Sequence, residues 1–384
     1  MSYAGIRSYV LARLCMLSIV GLLSGCLSSN DHTPALEEQV GQMLMVGFRG
    51  TEVTASDRIW GDIEERNLGG VILFNRDVPS GFALPRNVES PAQLASLNAT
   101  LQSIRPDDTL LIAIDQEGGV IRRLTPTDGF PDSPSHDELG AQDDLELTHA
   151  AAAGIAETLA THGFNINFAP VVDVNTNPDN PVIARWGRSF SVDPGAVTRH
   201  ARAYIDAHHE RGILTTLKHF PGHGSSSEDS HDGFTDVTQS WDPLELEPYR
   251  ALIDEKRVDL VMTAHVYHQG LDSQHPATLS RPVLQGLLRE DLGYTGVVVS
   301  DDMQMGAIVQ YYGFEEALEL AIHAGNDLLV LANNADVYDP TLAQRAIQHI
   351  VARVEAGAIS EQRIERSWRR IQNLKQRLAT RDND

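Results

Sequence analysis

The chain of 384 residues contains only two cysteines, Cys15 and Cys26. Cys15 lies within residues 1–25, a predicted signal peptide, and Cys26 directly follows it, so the rest of the chain has no thiol for a disulfide, a thiolate metal site or catalysis. Basic side chains are also scarce, with 30 Lys and Arg against 53 Asp and Glu. Because Arg7 and Arg13 are the only charged residues before Cys26, residues 26–384 have a formal charge of −25. Such a surface repels polyphosphates, which excludes nucleic acid as a partner.

A hydrophobic run of transmembrane length is missing as well. The apolar segment Leu14–Leu23 is too short to span a bilayer. It follows two arginines and precedes Ser24-Gly25-Cys26. Basic, apolar and small residues in this order are typical of a secretory signal, and we therefore expect residues 1–25 to be a signal peptide.

The end of this signal resembles the bacterial lipobox, in which the cysteine becomes the acylated first residue of the mature protein. The matching run is Leu23-Ser24-Gly25-Cys26, which implies lipidation of Cys26; an ordinary cleaved signal that contains a cysteine is the alternative. Residues 26–35 are polar and lack helical periodicity, as expected of a tether. Leu27 favours the outer membrane by analogy with known lipoproteins. We expect an exported, lipid-anchored protein that faces the periplasm or the cell exterior.

From residue 36 onward, short apolar runs alternate with amphipathic segments. Eight runs are almost continuously hydrophobic, as expected of strands covered on both faces: 43–48, 70–74, 110–115, 165–169, 214–219, 260–265, 296–301 and 327–331. Apolar residues at i, i+3 and i+4 predict helices at 145–161, 196–209, 283–288, 314–324, 340–355 and 360–379. Eight strand–helix units predict an α/β fold, a single (β/α)8 TIM-type barrel over residues 36–380 without a second domain.

Polar side chains cluster where the predicted strands end. They are Asn75-Arg76-Asp77, Asp115-Gln116-Glu117, Asp173, Lys218-His219, His265 and Asp301-Asp302. The carboxyl ends of the strands share one face of a barrel, and that face holds the active site. Polar residues that only terminate strands are the alternative, but they would be mostly exposed Lys and Glu in mixed order. We therefore expect a catalytic site at this face.

The densest group of polar residues follows the fifth predicted strand, in the run Lys218–Asp232. His219 and His223 have the spacing of metal ligands on a helix. The proline and glycines of Phe220-Pro221-Gly222-His223-Gly224 exclude a helix there, and we predict no metal. Lys218 and His219 are instead expected to point into the barrel mouth and donate hydrogen bonds to the hydroxyl groups of a ligand.

Asp229 and His231 lie two residues apart in the same loop. At this spacing the carboxylate can hold one ring nitrogen, which fixes the tautomer and stabilises the protonated imidazole. A general acid/base needs this arrangement. A solvated loop histidine beside an acid is the alternative.

A second candidate centre follows the run Gly296–Ser300. A strand this apolar is buried along its length, so a carboxylate at its end is fixed by the backbone and aimed at the barrel mouth. This placement suits a nucleophile, which must be positioned more than it must be mobile. Because side chains alternate along a strand, only one of Asp301 and Asp302 can share the inward direction, and periodicity leaves open which.

Together these motifs resemble glycoside hydrolase family 3, and within it the bacterial β-N-acetylhexosaminidase branch. The resemblance covers roughly residues 36–375, in the family's order. Its runs are Asp115–Gly119, Ala169–Asn175, Lys218–Gly224 with Asp229-Ser230-His231, Met262–Val266 and Gly296–Met303. The family's glucosidases generally take a glutamate from a second domain as acid/base and lack the Asp-Ser-His loop. This loop therefore favours the hexosaminidase branch.

The resemblance implies that Asp301 is the nucleophile and that His231 with Asp229 is the acid/base dyad. Asp115 matches the acid that binds the outer hydroxyls of the sugar, and the other matching sugar-binding residues are Arg123, Arg188, Lys218 and His219. The implied reaction is retaining hydrolysis of a terminal β-linked N-acetylglucosamine through a glycosyl-Asp301 intermediate, with no metal or organic cofactor.

Two departures from the pattern of this branch leave the leaving-group sugar open. Val120 stands where arginine is usual, and Asp232-Gly233-Phe234 replaces a small or aliphatic run. Chitin oligosaccharides and peptidoglycan fragments both remain as substrates. The alternatives are a β-glucosidase or broad-specificity exo-glycosidase on the same scaffold and, in another class, a non-catalytic glycan-binding lipoprotein. We expect a monomer whose partners are the oligosaccharide and, through lipid, the membrane.

Overall fold

A computed structural model describes residues 34–381 of the protein. The predicted signal peptide, Cys26 and most of the predicted tether lie outside the described residues. The part of the chain from Ala35 onward forms one compact unit. Within residues 34–381, no helix has a stretch long and apolar enough to cross a membrane.

Eight parallel strands form the centre of this unit. They are Leu44–Gly47, Gly70–Ile72, Leu111–Ile114, Ile166–Asn167, Leu214–Phe220, Leu260–Thr263, Val297–Val299 and Leu329–Leu331. Neighbours in this order pair with each other, and the first strand pairs with the last, Leu44 opposite Leu329. A parallel bridge between Val299 and Leu328 links the seventh strand to the start of the eighth. The sheet is a nearly closed barrel, which confirms the predicted (β/α)8 fold and all eight strands.

Helices surround the barrel and bury their apolar faces. In Leu145–Thr161 the buried residues include Ala152, Ile155, Ala156 and Leu159, spaced by three and four. The α-helices are Leu36–Gln42, Arg58–Glu64, Pro91–Ser103, His136–Gln142, Leu145–Thr161, Pro194–His209, Glu247–Asp254, Gly306–Val309, Phe314–Ala324, Leu342–Glu355 and Glu361–Arg381. The helix predicted at 283–288 is the π-helix Pro282–Asp291. The 3-10 turns are Val78–Ser80, Pro126–Asp128, Ala184–Trp186, Pro243–Leu246 and Ala277–Leu279.

Two further short strands lie beside the carboxyl-end loops of the barrel. Thr235–Asp236 and Val266–Tyr267 form a small parallel pair of their own. Sequence analysis did not predict them, because a two-residue strand is too short to show a periodicity of two. This pair fixes the end of the loop that bears His231.

Candidate active site

The carboxyl ends of the barrel strands surround a cavity of about 310 Å³. Asp115, Asp301 and Asp302 reach its wall from strand ends, and Arg123 and His231 reach it from loops. Apolar side chains complete the wall, among them Ile72, Phe74, Phe168, Met262, Met305 and Val330. Residues that are far apart in the sequence therefore meet at the predicted face.

Asp301 and Asp302 both line this cavity, against the expectation that only one could face inward. The strand ends at Val299, so the alternation of strand side chains no longer applies at 301 and 302. The two carboxylates nevertheless have different partners. Asp302 Oδ1 accepts the backbone N–H groups of Gln304 at 3.2 Å and Ala332 at 3.0 Å, which ties it to the neighbouring strand end. Among residues 34–381, the one hydrogen bond that Asp301 Oδ1 accepts comes from the adjacent backbone N–H of Asp302, at 2.8 Å.

The electrostatic surroundings of the two acids also differ. Burial raises the pKa of Asp301, but the nearby imidazoles of His265, His219 and His231 outweigh it, so the pKa lies below its ordinary value. Burial and the charge of Asp301 raise the pKa of Asp302 to about 6 against its backbone hydrogen bonds. Asp301 is the carboxylate that is held ionised and left available to a ligand, as a nucleophile must be.

His231 is held by Asp229 in the way the spacing predicts. Asp229 Oδ1 lies 2.7 Å from His231 Nδ1 and accepts the His231 backbone N–H at 2.9 Å. Partial burial lowers the pKa of His231. The Asp229 hydrogen bond and the charges of Asp301 and Asp229 raise it by more than burial lowers it, so the pKa lies above its ordinary value. The His231 side chain is 59% exposed, and its Nε2 has no hydrogen-bond partner among residues 34–381. The ring can therefore carry a proton on the side away from Asp229.

The backbone around His231 is anchored to the helix Gly306–Val309. The Gly306 N–H donates to the carbonyl of His231 at 3.1 Å, and the Ala307 N–H donates to that of Ser230 at 3.2 Å. On the opposite side, His223 Nε2 lies 3.1 Å from Ser230 Oγ. The loop that follows the fifth strand is thus fixed to the loop that carries Asp301, and the two catalytic candidates are brought to one cavity.

Close backbone packing at the base of this loop explains its glycines. A Cβ at Gly222, where φ is +130°, would lie 2.6 Å from the Cβ of Glu245, and a Cβ at Gly224 would lie 1.7 Å from the carbonyl oxygen of Val174. Residues 221–224 are not helical, as predicted. Among residues 34–381, no three His, Cys, Asp or Glu side chains are arranged to hold a metal ion.

A buried network of charges lies behind the cavity wall. Lys218 Nζ lies 2.8 Å from Asp115 Oδ1 and 2.7 Å from Glu117 Oε1, and Arg188 holds both oxygens of Glu117 at 2.9 and 2.8 Å. Burial raises the pKa of Glu117, but the Arg188 and Lys218 charges hold it far below its ordinary value. Asp115 is further held by Arg123 at 3.4 Å. The network fixes Asp115 as a carboxylate at the cavity wall.

Glu117 was predicted to lie at the face of the site, among the polar residues at the strand ends, but was given no role there. The signal available was an acid two residues after Asp115 at the end of a buried strand; because the strand ends at Ile114, alternation along it does not predict the direction of either side chain. Arg188 and Lys218 do not line the cavity. Lys218 contacts Asp115, which does, and Arg188 contacts Glu117, which in turn contacts Lys218. Arg188 and Lys218 are both almost fully buried.

His219 does not offer a free donor to a ligand, which corrects the expectation stated for this ring. Its Nδ1 lies 2.7 Å from Asp173 Oδ2 and its Nε2 lies 3.2 Å from an Arg188 amino group. Asp173 also accepts the His219 and His223 backbone N–H groups. Because both ring nitrogens have protein partners, His219 orients Arg188 instead of presenting its own N–H to the cavity.

Several known proteins with similar sequences are named β-hexosaminidases. The β-hexosaminidase A of Pseudoalteromonas piscicida is 32% identical over an alignment that covers 89% of this chain and 61% of that protein. This chain thus spans about three fifths of that relative. A β-hexosaminidase of Tolumonas auensis is 36% identical over 296 residues, which cover 76% of this chain and 83% of that protein.

Solved structures give the same family. A glycoside hydrolase family 3 β-N-acetylglucosaminidase from Paenibacillus sp. superposes with a TM-score of 0.81 at 41% identity, covering 90% of this chain and 63% of that chain. A β-N-acetylhexosaminidase from Beutenbergia cavernae gives a TM-score of 0.78 at 30% identity, with 89% and 98% covered. Residues 35–374 match the glycosyl hydrolase family 3 N terminal domain, and the chain therefore belongs to glycoside hydrolase family 3.

Proposed function

We propose that the protein is a retaining exo-glycosidase that hydrolyses terminal β-linked N-acetylglucosamine from chitin- or peptidoglycan-derived oligosaccharides. One observation carries the proposal: Asp301, whose pKa is lowered, and His231, whose pKa is raised, line the same small cavity. Its volume of about 310 Å³ is at the low end for ligand sites, which suits one terminal sugar. The Asp115 carboxylate and the Arg123 guanidinium supply polar partners for hydroxyl groups. Lys218 holds Asp115 and Glu117, and Arg188, which His219 orients, holds Glu117 from the other side.

In this mechanism a carboxylate oxygen of Asp301 attacks the anomeric carbon while the bond to the leaving oxygen breaks. The Nε2 proton of His231 passes to that oxygen. A water then attacks the anomeric carbon, His231 Nε2 takes the water's proton, and the bond to Asp301 breaks, which returns both residues to their starting states. Asp229 stabilises the imidazolium at the first step and fixes the tautomer at the second.

The apolar part of the wall supports a preference for an N-acetyl sugar. Phe168, Met262 and Val330 offer contact surface to an acetyl methyl group that a glucose hydroxyl would not use. The nearest alternative is a β-glucosidase on the same scaffold. We expect kcat/KM for 4-nitrophenyl β-N-acetylglucosaminide to exceed that for the β-glucoside by about 100-fold. A preference for the glucoside would reject the proposal, and the absence of any turnover would favour a non-catalytic glycan-binding protein.

We also propose that the protein is exported and lipid-anchored at Cys26, in the outer membrane, and acts as a monomer. The support is the order of basic, apolar and small residues before Cys26, together with the lipobox-like Leu23-Ser24-Gly25-Cys26. Cys26→Ser is expected to move the protein from the membrane fraction to the soluble fraction. Unchanged membrane association of that variant would contradict the anchor without affecting the proposed activity.

A further inference from the structure

A small pocket among the helices that surround the barrel is lined almost entirely by basic side chains. Its volume is about 100 Å³, and it shares no residue with the catalytic cavity. Six residues line it: Arg281, Gln285, His323, Arg363, Arg366 and Arg370. None of them carries a carboxylate, although acidic residues outnumber basic ones by 53 to 30 in the chain. The pocket is therefore a local concentration of positive charge on an acidic protein.

Three helices bring these side chains together. Two of the residues come from the first turn of the π-helix Pro282–Asp291 and the residue before it, and His323 comes from the helix Phe314–Ala324. The helix Glu361–Arg381 supplies the other three arginines. They are spaced by three and four, so they lie on one face of that helix, where like charges destabilise it unless a counter-charge is near.

A single carboxylate serves the arginines that hold this region together. Buried Asp327 pairs with three guanidinium groups, those of Arg289 at 2.7 Å, Arg370 at 3.0 Å and Arg363 at 3.5 Å. These contacts join the last helix to the π-helix and to the start of the eighth strand. Burial, together with the charges of nearby arginines, lowers the pKa of Arg363 to about 10 against the attraction of Asp327. One carboxylate thus leaves much of the positive charge uncompensated.

Two arginines of the pocket take no part in this arrangement. Arg281 and Arg366 are exposed, and neither has a hydrogen bond or ion pair with another residue in the range 34–381. His323 Nε2 lies 3.6 Å from the carboxylate of Glu319, which Arg353 already holds at 2.7 Å. Packing of the fold accounts for the arginines on Asp327. It does not account for two further guanidinium groups that line the same small space without a counter-charge.

We propose that this pocket binds a phosphate group, either that of a small phosphate monoester or inorganic phosphate. Guanidinium groups recognise phosphate oxygens by paired N–H donors, and Arg281 and Arg366 have theirs available. A volume of about 100 Å³ suits one such group. The pocket shares Arg281 and His323 with an open groove of about 570 Å³, which gives the organic part of a monoester room outside the arginines. The inference does not depend on the proposed hydrolytic function, because the two sites have no residue in common.

Isothermal titration calorimetry at constant ionic strength tests this, with inorganic phosphate, glycerol 3-phosphate and chloride as titrants. We expect both phosphates to bind with a dissociation constant of about 1 mM or lower, and chloride to give no comparable heat. The double substitution Arg281→Gln with Arg366→Gln should weaken phosphate binding by about tenfold or more. Since these arginines have no partner among residues 34–381, the variant should keep its circular dichroism spectrum and its kcat/KM for 4-nitrophenyl β-N-acetylglucosaminide.

The matched control is Arg199→Gln with Arg369→Gln, which removes the same charge. Both arginines are exposed and lie outside the pocket wall, and Arg369 is on the same helix as Arg366. The control should bind phosphate as the wild type does. Vesicles of phosphatidylcholine with and without phosphatidic acid separate the sources of the phosphate. Binding of the phosphatidic acid vesicles alone, lost in the double variant, would assign the same phosphate chemistry to a lipid headgroup.

Two results would overturn the inference. One is the absence of binding with inorganic phosphate, glycerol 3-phosphate and phosphatidic acid vesicles alike. The other is phosphate binding that Arg281→Gln with Arg366→Gln does not weaken relative to the control. Either result would leave the proposed hydrolysis of N-acetylglucosaminides intact, since that activity is measured separately on the same variants.

Discussion

Asp301→Asn is expected to lower kcat for β-N-acetylglucosaminides by about 10⁴-fold or more, because the amide cannot form the glycosyl ester on which the double displacement depends. The substitution should leave the fold intact. The amide oxygen can still accept the Asp302 N–H that Asp301 Oδ1 accepts at 2.8 Å. Steady-state rates on the nitrophenyl and chitobiose substrates, with circular dichroism of the variant, test this.

Asp302→Asn is the matched control for that experiment. Asp302 lines the same cavity, but its Oδ1 is occupied by the N–H groups of Gln304 and Ala332, which an asparagine oxygen can also accept. We expect a loss of less than about tenfold in kcat. A covalent glycosyl adduct trapped with a slow substrate should map by mass spectrometry to Asp301. An adduct on Asp302 would exchange the two assignments. Equal losses in both variants would contradict the expected difference between the two residues.

His231→Ala is expected to have an effect that depends on the leaving group. With chitobiose, kcat/KM should fall by about 10³-fold, because the departing sugar alkoxide needs the proton that His231 supplies. With a nitrophenyl leaving group, which departs without help, kcat/KM should change far less. The kcat for the nitrophenyl substrate should still fall, because no base activates the water that releases the sugar from Asp301, and the glycosyl-enzyme should accumulate. Azide, which needs no base, should restore turnover and give the glycosyl azide.

The pH dependence of kcat/KM on chitobiose separates the roles of the two residues. The pKa of His231 is raised, so the alkaline decline should lie above the ordinary histidine value of about 6.5. The pKa of Asp301 is lowered, so the acid decline should lie below its ordinary 3.8. Asp229→Asn removes a negative charge that raises the His231 pKa and leaves only a neutral, weaker acceptor for the ring N–H, so it should move the alkaline decline to lower pH.

His149→Ala controls for loss of a histidine–acid pair in general. His149 Nε2 lies 3.1 Å from Glu210 Oε1 on partly exposed side chains that are not in the cavity wall. Its substitution should leave both the leaving-group dependence and the pH profile unchanged. An Asp229→Asn variant with the wild-type alkaline decline would show that the dyad does not set the protonation of His231.

The elements of the barrel could be predicted because their physical signals are local. Strands buried on both faces consist of nearly continuous apolar residues, and Val297–Val299 is such a strand. The helix Leu145–Thr161 has the predicted bounds, since Asp144 caps it by accepting the N–H groups of Glu146 and Leu147. A helix was predicted at 283–288, but not that it is the longer π-helix Pro282–Asp291, because wider helical hydrogen bonding leaves no distinct apolar period. The pair Thr235–Asp236 with Val266–Tyr267 was not predicted, because a two-residue ladder is too short to show one.

The Asp229–His231 dyad could be predicted from the sequence, but its position relative to Asp301 could not. Its two residues are close in the sequence, so the contact between Asp229 and His231 followed from their spacing. The position of that dyad relative to Asp301 depends on Gly306 and Ala307, about 75 residues further along the chain, which bind the loop carbonyls. No local pattern encodes such a contact between distant segments.

The sequence by itself determined the barrel, the face that carries the site and the contact within the dyad, because these depend on apolar periodicity and on residues close along the chain. Family resemblance, not periodicity, selected Asp301 over Asp302. Only the tertiary structure decided how the two acids differ, that Glu117 joins Lys218 to Arg188, and that the ring of His219 is already occupied. Each of these depends on partners from separate strand ends, and only the closure of the barrel brings those ends together.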